Sequence, residues 1–300
     1  MPKFIPRGLG WRRDLPDARD YSPDHEPIAL LLSRLKAAPR RPRPPPPAVD
    51  LRGDEGGEYF PPVEDQGAIH CSPAFAVLSL IEYFERRSMG RTLEGSRLFL
   101  YWMARKLFRG ERDAGVGLRA TLKALVRFGA PPEAFWPYEP SRIDARPRDA
   151  SLFGYARDYA SIRYVRLDRR NGDGHRTLAA VKSFLAAGFP IAFGFSVPSS
   201  LSASADIPYR PGFDSVRGGQ AVVAVGYDES RLTSPRGALL VRSSWGEDWG
   251  ERGYGWLPYA YVEQQLAADF WAVLREDWLQ SNEYERPTGV DAPASRPARS

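Results

Sequence analysis

The sequence predicts an α+β fold in which a helical half comes first, a half made of β-strands follows, and a cleft lies between them. Two observations support this fold class. Apolar residues recur at helical spacing between positions 75 and 128, whereas the apolar stretches between 189 and 259 are short, β-rich and separated by glycines. A chain of 300 residues with 43% hydrophobic content also has enough apolar material for a sizeable core.

The helical half is predicted to contain three helices within residues 50–150. Pro73 opens the first of them, and the stretch that follows, AFAVLSLIEYFERR, is apolar on nearly every side. This pattern indicates a buried central helix with a proline in its first turn. Residues 94–108 and 117–128 each have one apolar face and predict two amphipathic helices.

The β half is predicted to occupy residues 151–279. A helix at residues 177–188 comes first and ends on a glycine, as helix C-termini often do. Four short strands then follow, at residues 189–197, 220–228, 238–245 and 252–259.

Two terminal segments flank this folded part, which spans residues 50–279. Residues 1–49 are predicted to form an arm, and its Pro/Arg-rich part, residues 34–47, should be extended or disordered because proline fixes φ and lacks an N–H. That part is interpreted either as a spacer or as a binding site for a partner with an aromatic groove. Residues 280–300 are polar and predict a disordered tail.

Composition argues against several classes of protein. The net charge of +5 comes with no nucleic-acid-binding motif, so no nucleic-acid partner is expected. The sequence has no apolar run of 18 residues, so no membrane span is expected. The first residues lack the apolar region of a secretion signal, and a single cysteine excludes an intrachain disulfide, so we expect a cytoplasmic protein.

Several separated motifs carry a family resemblance. VEDQG precedes the central helix, and GGQAVVAVGYD and VRSSWGEDWGERGYGWLPYAYV follow in the β half. With the segment GWRRDLPDARDY, they make the sequence from about residue 8 to about residue 275 resemble the papain family of cysteine peptidases, especially its bacterial branch. The resemblance implies a papain-like two-lobe fold with a helical lobe, a barrel-like β lobe and a cleft between them.

The resemblance also implies a catalytic site, and this sequence departs from it. Family members use a Cys at the start of the central helix, a His, an Asn, and a Gln that helps to bind the oxyanion. The oxyanion position holds Gln66, but the nucleophile position holds Ser72, with Cys71 beside it. The His position holds Gln220 and the Asn position holds Ser243. All three triad positions are therefore degenerate.

Ser72 and Cys71 are the two alternative candidates for a nucleophile. Ser72 needs a base within hydrogen-bond reach, and Gln220 does not titrate. Cys71 is rotated by about 100° from Ser72 on a helix, so it should point away from the cleft. His70 is the one histidine near either side chain. It is interpreted either as a replacement base or as a side chain that packs and occludes the cleft.

The same resemblance suggests the residues of a binding groove. Gly115 corresponds to a glycine whose backbone pairs with an extended substrate, although it is also interpreted as part of a turn. Ile69 and His70 replace smaller residues and are expected to narrow the cleft, while Trp245 belongs to the preserved scaffold. No cofactor is expected, and the three histidines have no spacing typical of a metal site.

These observations predict a catalytically inactive pseudoprotease. It would act as a peptide- or protein-binding module, or as a structural subunit of a larger assembly, with a protein or peptide as its partner. The alternative is an atypical cysteine or serine hydrolase that uses Cys71 or Ser72.

Overall fold

The computed structural model describes most of the chain. The described residues are 4, 6, 8–33, 45–53, 59–108, 110, 112–168, 173–231 and 237–279. The predicted tail, and all of the Pro/Arg-rich part except its last three prolines, lie outside them. Within these ranges, no helix combines the length and the apolar character that a membrane span requires.

Eight α-helices are present in the described ranges. They are α1 (Glu26–Ser33), α2 (Ser72–Met89), α3 (Arg97–Leu107), α4 (Leu118–Phe128), α5 (Ala156–Tyr159), α6 (Gly174–Ala186), α7 (Ala260–Glu263) and α8 (Glu276–Leu279). The helical lobe is built around α2, which buries almost all of its side chains, including Glu82, against α3, α4 and the sheet. Its second residue is Pro73, and it ends at Met89, after which Gly90 caps it with φ of 63°.

Capping side chains explain where two helices begin. The helix predicted at residues 94–108 starts later, at Arg97, because the hydroxyl of Ser96 accepts a hydrogen bond from Phe99 N at 3.2 Å. The helix predicted at 177–188 starts earlier, because the carboxylate of Asp173 accepts a hydrogen bond from His175 N at 2.9 Å.

The β lobe is one antiparallel sheet. Its strands are β1 (Ala48–Asp50), β2 (Arg163–Arg166), β3 (Ile191–Pro198), β4 (Val216–Asp228), β5 (Ala238–Arg242), β6 (Tyr254–Pro258) and β7 (Ala267–Leu274). The spatial order is β2-β7-β3-β4-β5-β6, and β1 pairs with the last three residues of β4. The predicted strand at 220–228 begins four residues earlier because its first residues pair with β3.

The packing of the two lobes positions the candidate site. Helix α2 lies against β4 and β3, so the N-terminus of α2 faces the middle of β4. The register of β3 and β4 places Gln220 opposite Phe195, with both side chains buried. The nucleophile position at Ser72 and the histidine position at Gln220 therefore meet between the lobes.

Candidate active-site cleft

The hydroxyl of Ser72 faces the β lobe from the first turn of α2. Its Oγ accepts a hydrogen bond from the backbone N–H of Ala221 at 3.1 Å, and the side chain is fully buried. The partner across the cleft is therefore a hydrogen-bond donor, whereas activation of a serine requires a base that accepts its proton.

The amide group of Gln66 is fully engaged. Its Nε2 donates to the carbonyl oxygens of Leu9 at 2.8 Å and Ile69 at 2.7 Å. Its Oε1 accepts hydrogen bonds from Gln220 Nε2 at 2.9 Å and Ser244 Oγ at 2.6 Å. Because an amide carries two hydrogens, neither is free to stabilise an oxyanion while these bonds exist.

Gln220 occupies the histidine position as a buried hydrogen-bond donor. Its Nε2 donates to Gln66 and to Ser244 Oγ, the latter at 3.1 Å. Within the described ranges its Oε1 has no hydrogen-bond partner, and neither does the hydroxyl of Ser243. Ser244, rather than Ser243, therefore supports the residue at the histidine position.

The thiol of Cys71 points into the helical lobe instead. Its Sγ lies 3.1 Å from the hydroxyl of Tyr138, which donates to the carbonyl oxygen of Gln66 at 2.7 Å. The thiol is fully buried, and this burial raises its pKa far above the ordinary value. Cys71 is thus held as a neutral thiol and not as a thiolate nucleophile.

The imidazole of His70 is paired with a carboxylate. Nδ1 lies 3.1 Å from Asp113, whose other oxygen accepts a hydrogen bond from the hydroxyl of Tyr101 at 2.6 Å. The side chain is 43% exposed. Ile69, by contrast, is buried in the core.

The cleft is occupied by residues 8–14, here called the cleft segment. Gly10 N and Trp11 N both donate to the carbonyl oxygen of Gly219 at 3.0 Å on the β lobe. On the helical lobe, Val116 N donates to Gly10 O at 2.9 Å and Arg12 N donates to Val116 O at 3.1 Å. The segment therefore pairs with both walls, running parallel to the chain at Val116.

Glycines permit this close approach. A Cβ on Gly10 would lie 2.3 Å from the carbonyl oxygen of His70, and one on Gly8 would lie 2.6 Å from that of Ile69. Gly115, with φ of 77°, makes a left-handed turn, and its Cβ position lies 2.3 Å from Gly10 O. The hydrogen bonds to the cleft segment are made by Val116, so the predicted pairing of Gly115 with an extended substrate stays a prediction.

Aromatic residues border one end of the cleft. The ring of Phe4 lies 5.6 Å from that of Trp245, which packs edge-on against Trp249 at 4.8 Å. The guanidinium of Arg217 donates to the carbonyl oxygen of Phe4 at 3.4 Å. Trp245 therefore contacts the chain's own N-terminal residues.

The buried carboxylate of Asp269 binds the cleft segment at the other end of the cleft. Asp269 Oδ2 accepts hydrogen bonds from the indole N–H of Trp11 at 3.0 Å and from Asp14 N at 2.7 Å. Its Oδ1 accepts from Arg166 at 2.7 Å. Burial and the neighbouring Asp14 raise the pKa of Asp269 to about 7, against the opposing effect of Arg166. Asp14 also pairs with Arg119, which anchors the segment to α4.

Metal ligands are not grouped in the part of the chain that the structure describes. No set of three His, Cys, Asp or Glu residues there could hold a metal ion. The side chains of Gln66, Ser72 and Gln220 interact instead through amide, hydroxyl and backbone hydrogen bonds.

Three features of the cleft were missed from the sequence. Ser244 was not predicted, because the papain-family resemblance places the asparagine that orients the histidine at the position of Ser243. The entry of residues 8–14 into the cleft had a signal in the two glycines of GLGW, but their long-range contacts were not predicted. Asp269 is the third residue of β7, ahead of its apolar stretch, and gave no signal at all.

Sequence comparisons provide the family context. The model of the papain family cysteine proteases matches residues 140–268. An uncharacterized peptidase C1-like protein, L477, of Acanthamoeba polyphaga mimivirus is 31% identical over 218 residues, which cover 70% of this chain and 68% of that protein.

Solved structures give the same context. Xylellain, a cysteine protease from Xylella fastidiosa, is 28% identical with a TM-score of 0.71, covering 92% of this chain and 98% of xylellain. The procathepsin B S9 from Trypanosoma congolense shares the fold at 17% identity, with a TM-score of 0.63 and coverage of 90% and 86%. The predicted two-lobe α+β fold is confirmed.

Proposed function

Because the chain belongs to the papain family of cysteine peptidases, we propose that it is a catalytically inactive member of that family. In this proposal it acts as a peptide- or protein-binding module or as a structural subunit of a larger assembly. Its partner is a protein or a peptide, and it works in the cytoplasm without a nucleic acid, a membrane or a cofactor.

One observation carries the proposal. The position from which a base would act holds Gln220, whose side-chain N–H groups donate to Gln66 and Ser244. An amide does not accept and return a proton near neutral pH, so the hydroxyl of Ser72 stays un-ionised. The hydrogen bond from Gln220 to Oε1 of Gln66 also keeps Nε2 of Gln66 directed at the carbonyl oxygens of Leu9 and Ile69, to which it donates both of its hydrogens.

The surroundings of the other candidates support the same conclusion. Cys71 lies behind Tyr138 with a raised thiol pKa, and His70 is directed at Asp113. The atypical hydrolase that uses Cys71 or Ser72 therefore finds little support in the geometry. The cleft segment also fills the groove along which an extended peptide would lie.

The cleft retains the means to bind a peptide backbone. The β-lobe wall offers the carbonyl oxygen of Gly219, and the helical wall offers the N–H and the carbonyl oxygen of Val116. These groups already bind residues 10–12 of the chain. Capture by backbone pairing requires only such groups and pockets for side chains. Binding without hydrolysis is thus the function that the geometry supports best.

The test is a search for cleavage. The purified full chain is incubated with a mixed peptide library, and the products are identified by mass spectrometry. We expect no cleavage above that of matched Ser72→Ala and Cys71→Ala variants. Cleavage that disappears in either variant would show that the protein is a hydrolase and would overturn the proposal.

A further inference from the structure

A hollow of about 670 Å³ lies on the helical lobe, outside the cleft. It is formed by the C-terminal half of α3, the last residue of α4 and residues 144–153, and we call it the α3–α4 hollow. Its walls include the partly exposed side chains of Trp102, Phe128 and Phe153. Volumes of this size are typical of sites that bind ligands.

The charged side chains of the hollow are mainly cationic. Lys106 and Arg146 are exposed, and the ammonium of Lys106 lies 5.1 Å from the centre of the Trp102 ring. Among the described residues that line the hollow, these two and Arg105 are cationic, whereas Asp144 is acidic. An excess of positive charge around a concave surface attracts an anionic partner.

Arg105 is a buried cation whose hydrogen bonds are incomplete. It is 2% exposed, and its Nη2 donates to Ile143 O at 3.0 Å and to Asp144 Oδ1 at 3.2 Å. Within the described ranges, its Nε and Nη1 have no hydrogen-bond partner. Asp144 is 77% exposed, so water screens its attraction for the guanidinium. Because a guanidinium binds carboxylates strongly and buried N–H groups are costly to leave unpaired, Arg105 favours a carboxylate ligand.

The aromatic walls favour an apolar group on the same ligand. The ring of Phe153 packs edge-on against that of Phe99 at 5.5 Å, and the buried Met103 also lines the hollow. An aromatic side chain bound there would remove apolar surface from water on both partners. The hollow is thus complementary to a ring that has a carboxylate close by.

We propose that the α3–α4 hollow is a docking site for an acidic segment of a partner protein, in which an aromatic side chain lies next to carboxylates. The ring packs against the aromatic walls. One carboxylate takes the place of Asp144 at Arg105, and another pairs with Lys106. The site lies outside the cleft, so it stands whether or not the chain hydrolyses peptides.

The experiment uses the full chain and isothermal titration calorimetry. The probe is the peptide acetyl-Gly-Asp-Phe-Glu-Gly-amide, which supplies a ring between two carboxylates. We expect at least tenfold weaker binding of acetyl-Gly-Asn-Phe-Gln-Gly-amide, which lacks the carboxylates, and of acetyl-Gly-Asp-Ala-Glu-Gly-amide, which lacks the ring. Equal binding of either peptide, or no binding of the probe at millimolar concentration, would overturn the proposal.

Variants at exposed positions place the binding in the hollow. Lys106→Glu reverses a charge there and should weaken binding of the probe at least tenfold, whereas Lys123→Glu makes the same change on α4 outside the hollow and should have no effect. Asp144→Asn removes the carboxylate that competes for Arg105, so it should tighten binding at least threefold. The proposal fails if Lys106→Glu binds the probe as tightly as Lys123→Glu, or if Asp144→Asn binds it no more tightly than the wild type.

The outcome is independent of the test for hydrolysis. Cleavage of the peptide library that depends on Ser72 or Cys71 contradicts the inactive state but leaves the docking site in place. Binding of the probe that does not respond to Lys106→Glu contradicts the docking site alone.

Discussion

The side-chain carbonyl oxygen of Gln66 lies 2.9 Å from the side-chain nitrogen of Gln220. In the family to which this chain belongs, these two positions hold the oxyanion donor and the base. Here they bind each other, and both side chains are fully buried. A direct hydrogen bond thus joins the side chains at these two positions.

The first prediction concerns the strength of that contact. Gln220→Ala removes the side-chain N–H groups that donate to Gln66 and to Ser244. The buried Oε1 of Gln66 then has one hydrogen bond fewer. We expect a loss of about 1–3 kcal/mol in the free energy of unfolding, measured with urea. The exposed Gln264 is the matched control, and Gln264→Ala should change the stability by less than about 0.5 kcal/mol. Equal stability of Gln220→Ala and the wild type would show that the contact is not structural.

The second prediction concerns the reactivity of Cys71. Because burial raises its thiol pKa, the native protein should react with iodoacetamide at pH 7.5 at least a hundred times more slowly than the unfolded protein in guanidinium chloride. The measurement is the fraction of alkylated protein over time by mass spectrometry. A native Cys71 that reacts as fast as the unfolded thiol would mean that it is accessible and ionised, as the alternative hydrolase requires.

The third prediction concerns the pH dependence of stability. Glu82 is fully buried, and burial raises its pKa to about 7 although Arg97 lies 2.7 Å away. A raised carboxyl pKa means that the folded state binds the proton of Glu82 more tightly than the unfolded state does. The resulting stabilisation of the fold is complete below the unfolded pKa of about 4.5 and is lost as pH rises through 7.

Glu82→Gln isolates this effect because the amide cannot ionise. The stability of the wild type relative to this variant should fall by up to about 3 kcal/mol between pH 4 and pH 8, which follows from 1.36 kcal/mol for each pKa unit. Urea unfolding of both proteins at each pH provides the measurement. A difference that stays constant with pH, or rises, would contradict the assignment.

The fourth prediction concerns the binding of the cleft segment in the cleft. Gly10→Ala places a methyl group against the carbonyl oxygen of His70 and forces a left-handed φ on alanine. We expect the segment to leave the cleft, so that trypsin cleaves after Arg12 and Arg13 at least tenfold faster than in the wild type. Leu15 is 83% exposed, and Leu15→Ala should leave the rate unchanged. Equal rates in all three proteins would mean that the segment is not held as described.

The periodic elements of the fold were predictable from the sequence. Pro73 and the apolar stretch after it predicted the central helix, which α2 confirms. The glycine-separated apolar stretches predicted β3 to β6, since short β-rich segments between turn residues have few alternatives. Where the limits differ, as at Arg97, a capping side chain decides the first turn.

The contents of the cleft were less predictable. Residues 8–12 have no periodic pattern, and their partners Val116 and Gly219 lie more than a hundred positions away. The narrowing of the cleft by Ile69 and His70 stays a prediction, whereas the cleft segment that fills it was not predicted at all. Contacts of this kind depend on the assembled lobes and leave little trace in local sequence.

The central claim is that an intact papain-like scaffold lacks only the reacting groups and an open groove. The most direct test is the rate of peptide hydrolysis by a full chain carrying Ser72→Cys, Gln220→His and Ser243→Asn together, with and without Trp11→Ala. We predict measurable hydrolysis when all four changes are combined and at least tenfold less when the cleft segment keeps its tryptophan. A folded four-fold variant without hydrolysis, or a wild type that hydrolyses peptides as fast, would contradict the account.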